Sequence, residues 1–482
     1  MADASGSSHY WAIAQEEIFG TTPSPFNPQQ YRFLEGSDAV DNRSTLTSSE
    51  LTSDRQLRSS TLGTPQPDFS PSFELSAQSF DMLVEGALQG SWVGNGYASL
   101  TVDITGGDGT ITTDGGEFWS TYNFADGDVI TITGLSTNTD GSFLIASGSG
   151  TATITVTDLS GGAVTFSAEA DVAVVVIAGR SSAVIDSSAN NITVDATART
   201  ITAASAIWTS ASPDLRYGDL IYLNGFSNAG NNGYFKVLSA TATVLTLTTD
   251  ATTLVNETLS TGDLEVANNT AFVVAGSTKH SYSIESGYTD VNLYRTLRGA
   301  QISDMSMSYG TDSIITGDMT FMGLSLSAFD VASEATSVSN PTTTPVFNTF
   351  RGFVTFDGSA PNCVTDLSWS LSNSSEGLQC VFSDSLSSIT HGKSLVTGSL
   401  TSYLSDAGLS TKYSDETNIA VYIVAEDADG RTFGVGMDNV QLQGEAIQVN
   451  ETTVEISFDF AALYSDDEHM NIYIIESRPL PA

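Results

Sequence analysis

The stretch Asp126-Gly127-Asp128-Val129-Ile130-Thr131-Ile132-Thr133-Gly134-Leu135-Ser136 returns further along the chain. It reappears as Tyr217-Gly218-Asp219-Leu220-Ile221-Tyr222-Leu223-Asn224-Gly225-Phe226-Ser227. Gly141-Ser142-Phe143 returns as Gly233-Tyr234-Phe235, and Ile154-Thr155-Val156-Thr157 as Leu245-Thr246-Leu247-Thr248. The order is kept, and the spacing is longer than a solenoid unit but right for two tandem small domains. Within each copy apolar and polar residues alternate, the period of a strand with one buried face. We expect two small β domains, at 98–180 and 181–275, each an immunoglobulin-like sandwich or a small barrel. Ser, Thr and Gly dominate the chain, as short strands and turns require.

The flanks read differently. Residues 1–35 are punctuated by Thr22-Pro23-Ser24-Pro25 and Asn27-Pro28, and read as an irregular arm. Asp38 to Arg58 is polar and without a strand period, so it reads as a long extended loop. Phe73-Glu74-Leu75 is a short strand. Phe80, Leu83, Val84, Ala87 and Leu88 then fall on one helical face, with Ser79 as N-cap and Gly90 at the end. This is the one helix expected. Beyond the inserted pair, Ser281–Glu285, Ile302–Tyr309 and Ile314–Met322 are strands, the last two joined by a hairpin through Gly310-Thr311-Asp312. Ala332 to Pro345 reads as a soft linker, centred on 336–345. In 346–482, Val364-Thr365-Asp366-Leu367-Ser368-Trp369-Ser370 echoes Ile302-Ser303-Asp304-Met305-Ser306-Met307-Ser308, and Val440–Gln448 forms a hairpin with Val454–Phe460. The expected organisation is all-β and multi-domain: a first outer domain split into 1–97 and 276–335, the inserted pair, and a second, diverged outer domain at 346–482.

The chemistry is sparse. Lys and Arg number 16 against 56 Asp and Glu, a net charge of −40 over 482 residues. Such a chain lacks the clustered cations that grip phosphate or anionic lipid. The start of the chain has no basic segment followed by an apolar one, so no secretory leader is expected. The longest apolar run, Val172 to Gly179, is too short to span a bilayer. Cys363 and Cys380 make no disulfide framework and no metal pair. A hairpin turn at Asn373–Glu376 would set Cys363 opposite Leu386 and Cys380 opposite Trp369, keeping the sulfurs apart. The four histidines (His9, His280, His391 and His469) lie in unrelated segments, and no Gly-x-Ser-x-Gly elbow occurs. Asp427-Ala428-Asp429-Gly430 and Gly106-Gly107-Asp108-Gly109 start like calcium loops but lack the later ligands, so both read as Asp-Gly turns. Asp466-Asp467-Glu468 reads as a solvated acidic loop. Neither an enzyme nor a cofactor is expected.

Several stretches, taken in order, resemble one known family, the tail tube proteins of long-tailed bacteriophages. Glu17-Ile18-Phe19-Gly20-Thr21-Thr22-Pro23 resembles that family's Glu-x-x-x-Gly-Thr-Thr-Pro arm, and Ser53-Asp54-Arg55-Gln56 its Ser-Asp-Arg-Gln loop. Phe73-Glu74-Leu75 with Phe80 to Gly90 resembles its strand and helix. Tyr282 to Asp290, Arg298-Gly299-Ala300 and Gly317 to Gly323 resemble the strands that follow. The resemblance implies a β-sandwich subunit with one helix, rings of subunits, and rings stacked into a tube that lies in the virion tail and is assembled in the host cytoplasm. It implies a tape measure protein in the lumen, terminator and distal tail proteins at the ends, and DNA passing through without specific binding. A duplicated subunit would make a ring of three chains. The candidate contacts between subunits are Arg43, Asp54, Arg55 and Arg58, because subunits this acidic repel and arginine pairs well with a neighbour's carboxylates. The competing reading is a secreted β-rich adhesin, surface-layer or carbohydrate-binding protein.

Overall fold

The computed structural model describes all residues except 1–3, 35, 37, 50–58, 95, 180, 211–212, 214, 217, 249–250, 358–362, 384, 466–469 and 478–482. The first flank holds β1 (His9–Gln15), β2 (Gln29–Gln30), β3 (Val40–Asn42), β4 (Thr45–Thr47), β5 (Ser60–Leu62), β6 (Gln66–Phe69), β7 (Ser72–Glu74) and helix α1 (Asp81–Leu88). Next come β8 (Tyr97–Ile104), β9 (Thr110–Thr113), β10 (Val129–Thr133), β11 (Gly141–Ser147), β12 (Thr153–Thr157) and β13 (Glu169–Gly179). A third block holds β14 (Ser181–Asp186), α2 (Ser187–Asn190), β15 (Ile192–Asp195), β16 (Thr200–Thr202), β17 (Leu220–Asn224), β18 (Gly233–Ala240), β19 (Val244–Leu247), β20 (Glu257–Leu259) and β21 (Asp263–Asn268). The return begins with β22 (Thr270–Val274), β23 (Tyr282–Tyr288), β24 (Leu293–Gly310), β25 (Thr316–Met322) and β26 (Ser325–Leu326). The last block holds β27 (Gly352–Phe356), β28 (Val364–Ser372), β29 (Glu376–Gln379), β30 (Leu386–Thr390), β31 (Leu395–Tyr403), α3 (Gly408–Ser414), β32 (Ile419–Glu426), β33 (Thr432–Val449), β34 (Val454–Ala462) and β35 (Tyr473–Ser477).

The all-β expectation holds, with differences in detail. Helix α1 buries the five residues of its apolar face against β24. Its N-cap is Phe80 rather than Ser79, whose hydroxyl turns to Ser76, Thr342 and Thr344. Gln89, in the left-handed region, closes the helix, and Gly90 N bonds back to Glu85. The single-helix expectation needs correcting. Helix α3 is a second helix and α2 a single turn. No α3 residue is fully buried, so it shows no apolar stripe for a sequence reading to find.

The inserted blocks share one layout. In the first, six strands close into a barrel in the order β10-β11-β12-β9-β8-β13. Gly127 N bonds Ile145 O and Ile145 N bonds Asp128 O; Gly218 N bonds Val237 O and Val237 N bonds Asp219 O. A bulge lies between Ile145 and Ser147 in one block and between Val237 and Ser239 in the other. Each buries one tryptophan, with Trp119 Nε1 donating to Ala152 O (3.0 Å) and Trp208 Nε1 to Thr243 O (3.2 Å). The second block departs at two places. β14 and β15, separated by the turn α2, stand where β8 stands in the first, and β20, paired with β15, has no counterpart strand there, so the result is an eight-stranded sheet. The two blocks meet through Val129, Tyr222 and Ala267, and through Thr131, whose hydroxyl donates to the Asn269 side chain (3.1 Å).

The flanks form one seventeen-stranded sheet system around a single core. Its layout also repeats. Tyr282 pairs Ala300 and Ile284 pairs Leu297 across a bulge; Ile419 pairs Val440 and Val421 pairs Met437 across another. Met305 and Met307 face Met319 and Gly317; Glu445 and Ile447 face Phe458 and Ile456. β24 and β33 are both 18 residues long, and α1 and α3 pack on them. β1 lines β23 as β27 lines β32, and β7 lines β25 as β31 lines β34. The two segments that echo each other in sequence are not counterparts in this layout. They are neighbours, with Met307 on β24 opposite Trp369 on β28.

Three other expectations change. The start of the chain is not an irregular arm throughout, because β1 pairs with β23 along its whole length. Strand β22 belongs to the large sheet, paired with β35 from Thr270↔Ser477 to Val274↔Tyr473, so the core reclaims the chain before 276. The segment Ala332–Pro345 is bound rather than soft. Ser333, Glu334 and Ala335 bond to Glu285, Ser339 bonds to Gln30 and Pro28, and Thr344 bonds to Ala77 O and Arg32.

Candidate assembly surface

Glu16 is buried between β1, β23 and β24. Its carboxylate accepts from Gly20 N (2.7 Å), Ser283 Oγ (2.7 Å) and Gly299 N (2.9 Å). Gly20 and Gly299 both have positive φ, +75° and +63°, which explains glycine at both places. The Glu-x-x-x-Gly spacing read from the arm is therefore carried by Glu16, not Glu17. Arg298 Nε donates to Thr22 Oγ1 (2.9 Å), and its guanidinium pairs with Glu334. Three stretches far apart in sequence thus meet at one carboxylate.

Asp38 does similar work on the next part of the sheet. Tyr288 OH (2.6 Å), Arg295 Nη2 (2.8 Å), Trp11 Nε1 (3.1 Å) and Ser286 Oγ all donate to it. Burial alone would push this carboxyl up. The hydrogen bonds from Ser286, Tyr288 and Arg295, with the Arg295 charge, outweigh burial and hold it below its ordinary value. Tyr288 is pushed up to about 12 by burial and by donating to that carboxylate. Glu285, wholly buried, accepts from Tyr10 OH (2.8 Å), Ser333 Oγ (2.8 Å) and the Glu334 amide (2.8 Å). Together these bonds tie the chain's start and the 332–345 segment to the sheet.

The segments weighed as possible chemical sites have structural partners where they are described. Asp427 is buried, and it accepts from the Asp429 and Arg431 amides and pairs with Arg431 at 3.0 Å, so an arginine fills the turn. Asp108 caps its own turn at Thr110 N. The acidic run Asp466-Asp467-Glu468 lies outside the described residues, as does His469. His391 sits between Ser375 Oγ (2.8 Å) and Gln301 Oε1 (2.8 Å), and burial, then the Lys279 charge, lowers its pKa. That relay fastens the hairpin β29–β30 to β24. Its orienting group is a neutral amide, not the carboxylate that would stabilise an imidazolium. Both cysteines are exposed and free. The hairpin turn supposed at Asn373–Glu376 does not form, since β28 pairs with β24 and β31 while β29 pairs with β30.

Of the expected contact residues, Asp54, Arg55 and Arg58 lie outside the described residues. Arg43 is exposed and holds Asp41 at 2.7 Å. It follows directly on β3, a short strand with one described neighbour, β6. Hairpin β4–β5 comes next, with Leu46 and Leu62 about 60% exposed. At the other end of the sheet the second half of β33 is exposed from Gln443 to Val449, Ile447 and Val449 included. Among the described residues these two edges have no strand on their outer side, and both carry exposed apolar side chains. The sequence names Arg43 as a candidate contact and gives Val440–Gln448 as one arm of a hairpin, but nothing in it marks the outer edge of that arm as exposed.

No described helix is long and apolar enough to cross a membrane. No curated protein matches this chain. Residues 260–462, from just before β21 to the end of β34, match the family model described as Phage tail tube protein. Over those residues the chain is similar to the tail tube proteins of phages, a structural family.

Proposed function

We propose that this chain is the building block of a phage tail tube. Copies form rings, the rings stack, and the genome leaves through the lumen into the host. The observation that carries the reading is that the matched residues 260–462 run through the part of the sheet whose strand layout repeats. A chain holding two such units would fill a ring with half as many copies as a single-unit subunit, a ring of three. The inserted pair at roughly 98–275 sits outside the wall in this reading. The net charge of −40 suits a conduit, since an acidic wall repels phosphate and lets DNA slide. The partners are further copies of the chain, a tape measure protein in the lumen and end-capping tail proteins. The role is mechanical, with no catalysis and no cofactor. Negative-stain electron microscopy of the purified chain at high concentration tests this. Rings or tubes support it. Dispersed monomers that bind glycans overturn it in favour of the adhesin.

A further inference from the structure

We propose that the chain carries, open at its two ends, the two sides of a joint that it also contains once in closed form, and that a second copy of the chain completes it. This rests on the tube reading and names the strands that join neighbouring subunits.

The closed joint lies inside the chain and has two parts. β28 runs antiparallel along the second half of β24, with Met305 opposite Leu371, Ser306 opposite Ser370 and Met307 opposite Trp369. The hairpin β29–β30 that follows β28 then folds over the same region. At its base Asn373 Nδ2 donates to Ala87 O (2.9 Å) at the end of α1 and to Ile302 O (3.1 Å). Leu386 and Ile389 of the hairpin are buried, and Lys279 Nζ caps Ile389 O at 3.2 Å. One side of the joint is a long strand with a helix on it. The other is a strand followed by a hairpin.

Each side has a counterpart. β33 with α3 has the layout of β24 with α1, down to the bulge against the preceding strand. On the other side, counting outward from the matched strands β25 and β34, β6–β7 stands where β31 stands. β3 then pairs β6 as β28 pairs β31, with Val40↔Asp68 in the place of Ser370↔Thr397. The hairpin β4–β5 follows β3 as β29–β30 follows β28, with Leu46↔Thr61 in the place of Glu376↔Thr390.

Both counterparts are open. Among the described residues the Gln443–Val449 half of β33 pairs only with β34, where the matching half of β24 has β25 on one edge and β28 on the other. Among the same residues β3 pairs only with β6, where β28 has two neighbours. Ile447 is 56% exposed, Val40 43% and Leu46 60%. An open strand edge with apolar side chains is a template for another strand. The two sides do not meet within one chain, so closing the joint takes a neighbour, head to tail. A heterologous contact of that kind repeats until a ring closes. Carrying the internal register across sets Ala446 of one copy opposite Val40 of the next, and Glu445 opposite Asp41. The like charges at that second pair are offset by Arg43, already bound to Asp41.

The test is a pair of cysteines in a chain with Cys363→Ser and Cys380→Ser. Directly opposed residues in an antiparallel pair have Cα atoms about 4.5–5.5 Å apart, within disulfide reach. Chains with Val40→Cys alone and with Ala446→Cys alone are mixed under ring-forming conditions and oxidised. Covalent dimers are expected in the mixture and in neither chain alone, and the double variant should give closed covalent rings. Val40→Cys with Gln448→Cys, off register, should give none. Should Val40→Cys disturb folding by circular dichroism, Asp41→Cys with Glu445→Cys carries the same test. Rings or tubes visible by microscopy without on-register crosslinks overturn the joint and leave the tube reading standing. A parent chain that forms no rings or tubes and no crosslinks overturns both.

Discussion

Cutting the inserted pair out of the chain tests whether the wall is built from the flanks alone. The structure supplies the splice. Val93 and Phe272 exchange both backbone hydrogen bonds, at 2.9 and 3.0 Å. That geometry is closed by a two-residue hairpin loop, so Asn-Gly in place of residues 94–271 should rejoin the strands without strain. The cost is the two-residue end of β22 that the cut takes from β35, Thr270 and Ala271, and the surface uncovered. Gly218 lies against Val424 and Ile475, which are 4% and 2% exposed. The Arg216 guanidinium lies over the Phe272 and Tyr473 rings, 5.2 and 4.7 Å from their centroids. Full exposure of such a side chain costs about 1.5–3 kcal/mol. Each of the four keeps its neighbours within the sheet, so roughly a third of that applies, about 2–4 kcal/mol together. The Lys236–Glu426 pair, 2.8 Å apart with Glu426 a third exposed, adds at most about 1 kcal/mol. The sum is below the roughly 5–15 kcal/mol of a stable domain. The shortened chain should fold, melt several degrees lower by calorimetry, and still form rings and tubes in the microscope. A folded shortened chain that never assembles would refute the reasoning and put the inserted blocks in the wall.

Other perturbations follow from single contacts. Glu16→Gln sets an amide donor against one of the backbone N–H groups that Glu16 now receives, costing about 1–3 kcal/mol. Faster hydrogen exchange at Gly20 and Gly299 is the expected readout, and unchanged protection there would count against it. The Asp38 carboxyl is held below its ordinary value, so its contribution is present above that value and lost as pH falls through the lower, folded one. Asp38→Asn should therefore lower the melting temperature at pH 7 and flatten its acid-side decline; parallel declines would contradict the assignment. Arg43→Ala removes an exposed pair and should change the monomer's stability by less than about 1 kcal/mol. It should weaken assembly, more so at low salt where Asp41 and Glu445 are less screened; equal sedimentation profiles would sink the idea. Gly398→Ala would press a methyl group into the Phe460 ring and the Ser368 carbonyl, costing about 1–3 kcal/mol, and an unchanged melting temperature would show that the strands yield there.

What the sequence disclosed depended on how much of an element's environment lies within the element. Helix α1 was legible because its five apolar residues all face the core and fall at helical spacing. Helix α3 was not, because Leu409 and Tyr413 are its only apolar contacts with the core and neither is fully buried. The inserted repeat was legible because both copies keep the same Gly-Asp turn, whose backbone bonds to Ile145 and Val237 demand it. The repeat in the large sheet was obscured by the echo between Ile302–Ser308 and Val364–Ser370. Those strands look alike because they stand side by side and meet the same demand, one face in the core and one polar. The true counterpart of Met305 and Met307 is Glu445 and Ile447, and the chemistry differs because one edge is covered and the other bare. The arm at Glu16 was half legible: its motif could be seen, but the carboxylate's partners at 283 and 299 could not, being brought together only by the sheet.

If the repeated layout reflects two fused tube units, with the inserted blocks in only the first, the proposed ring has a consequence for spacing. A ring built from separate single units would have to carry an appendage on every position or none. A ring of fused chains carries one on every second position, leaving a plain unit between neighbours. Each appendage then has about twice the arc to itself, and blocks too bulky to stand shoulder to shoulder around the circumference fit without crowding. In the proposed ring, the contacts of Lys236 and Arg216 with the last block would hold each appendage across its own chain, so its orientation would not depend on the next copy.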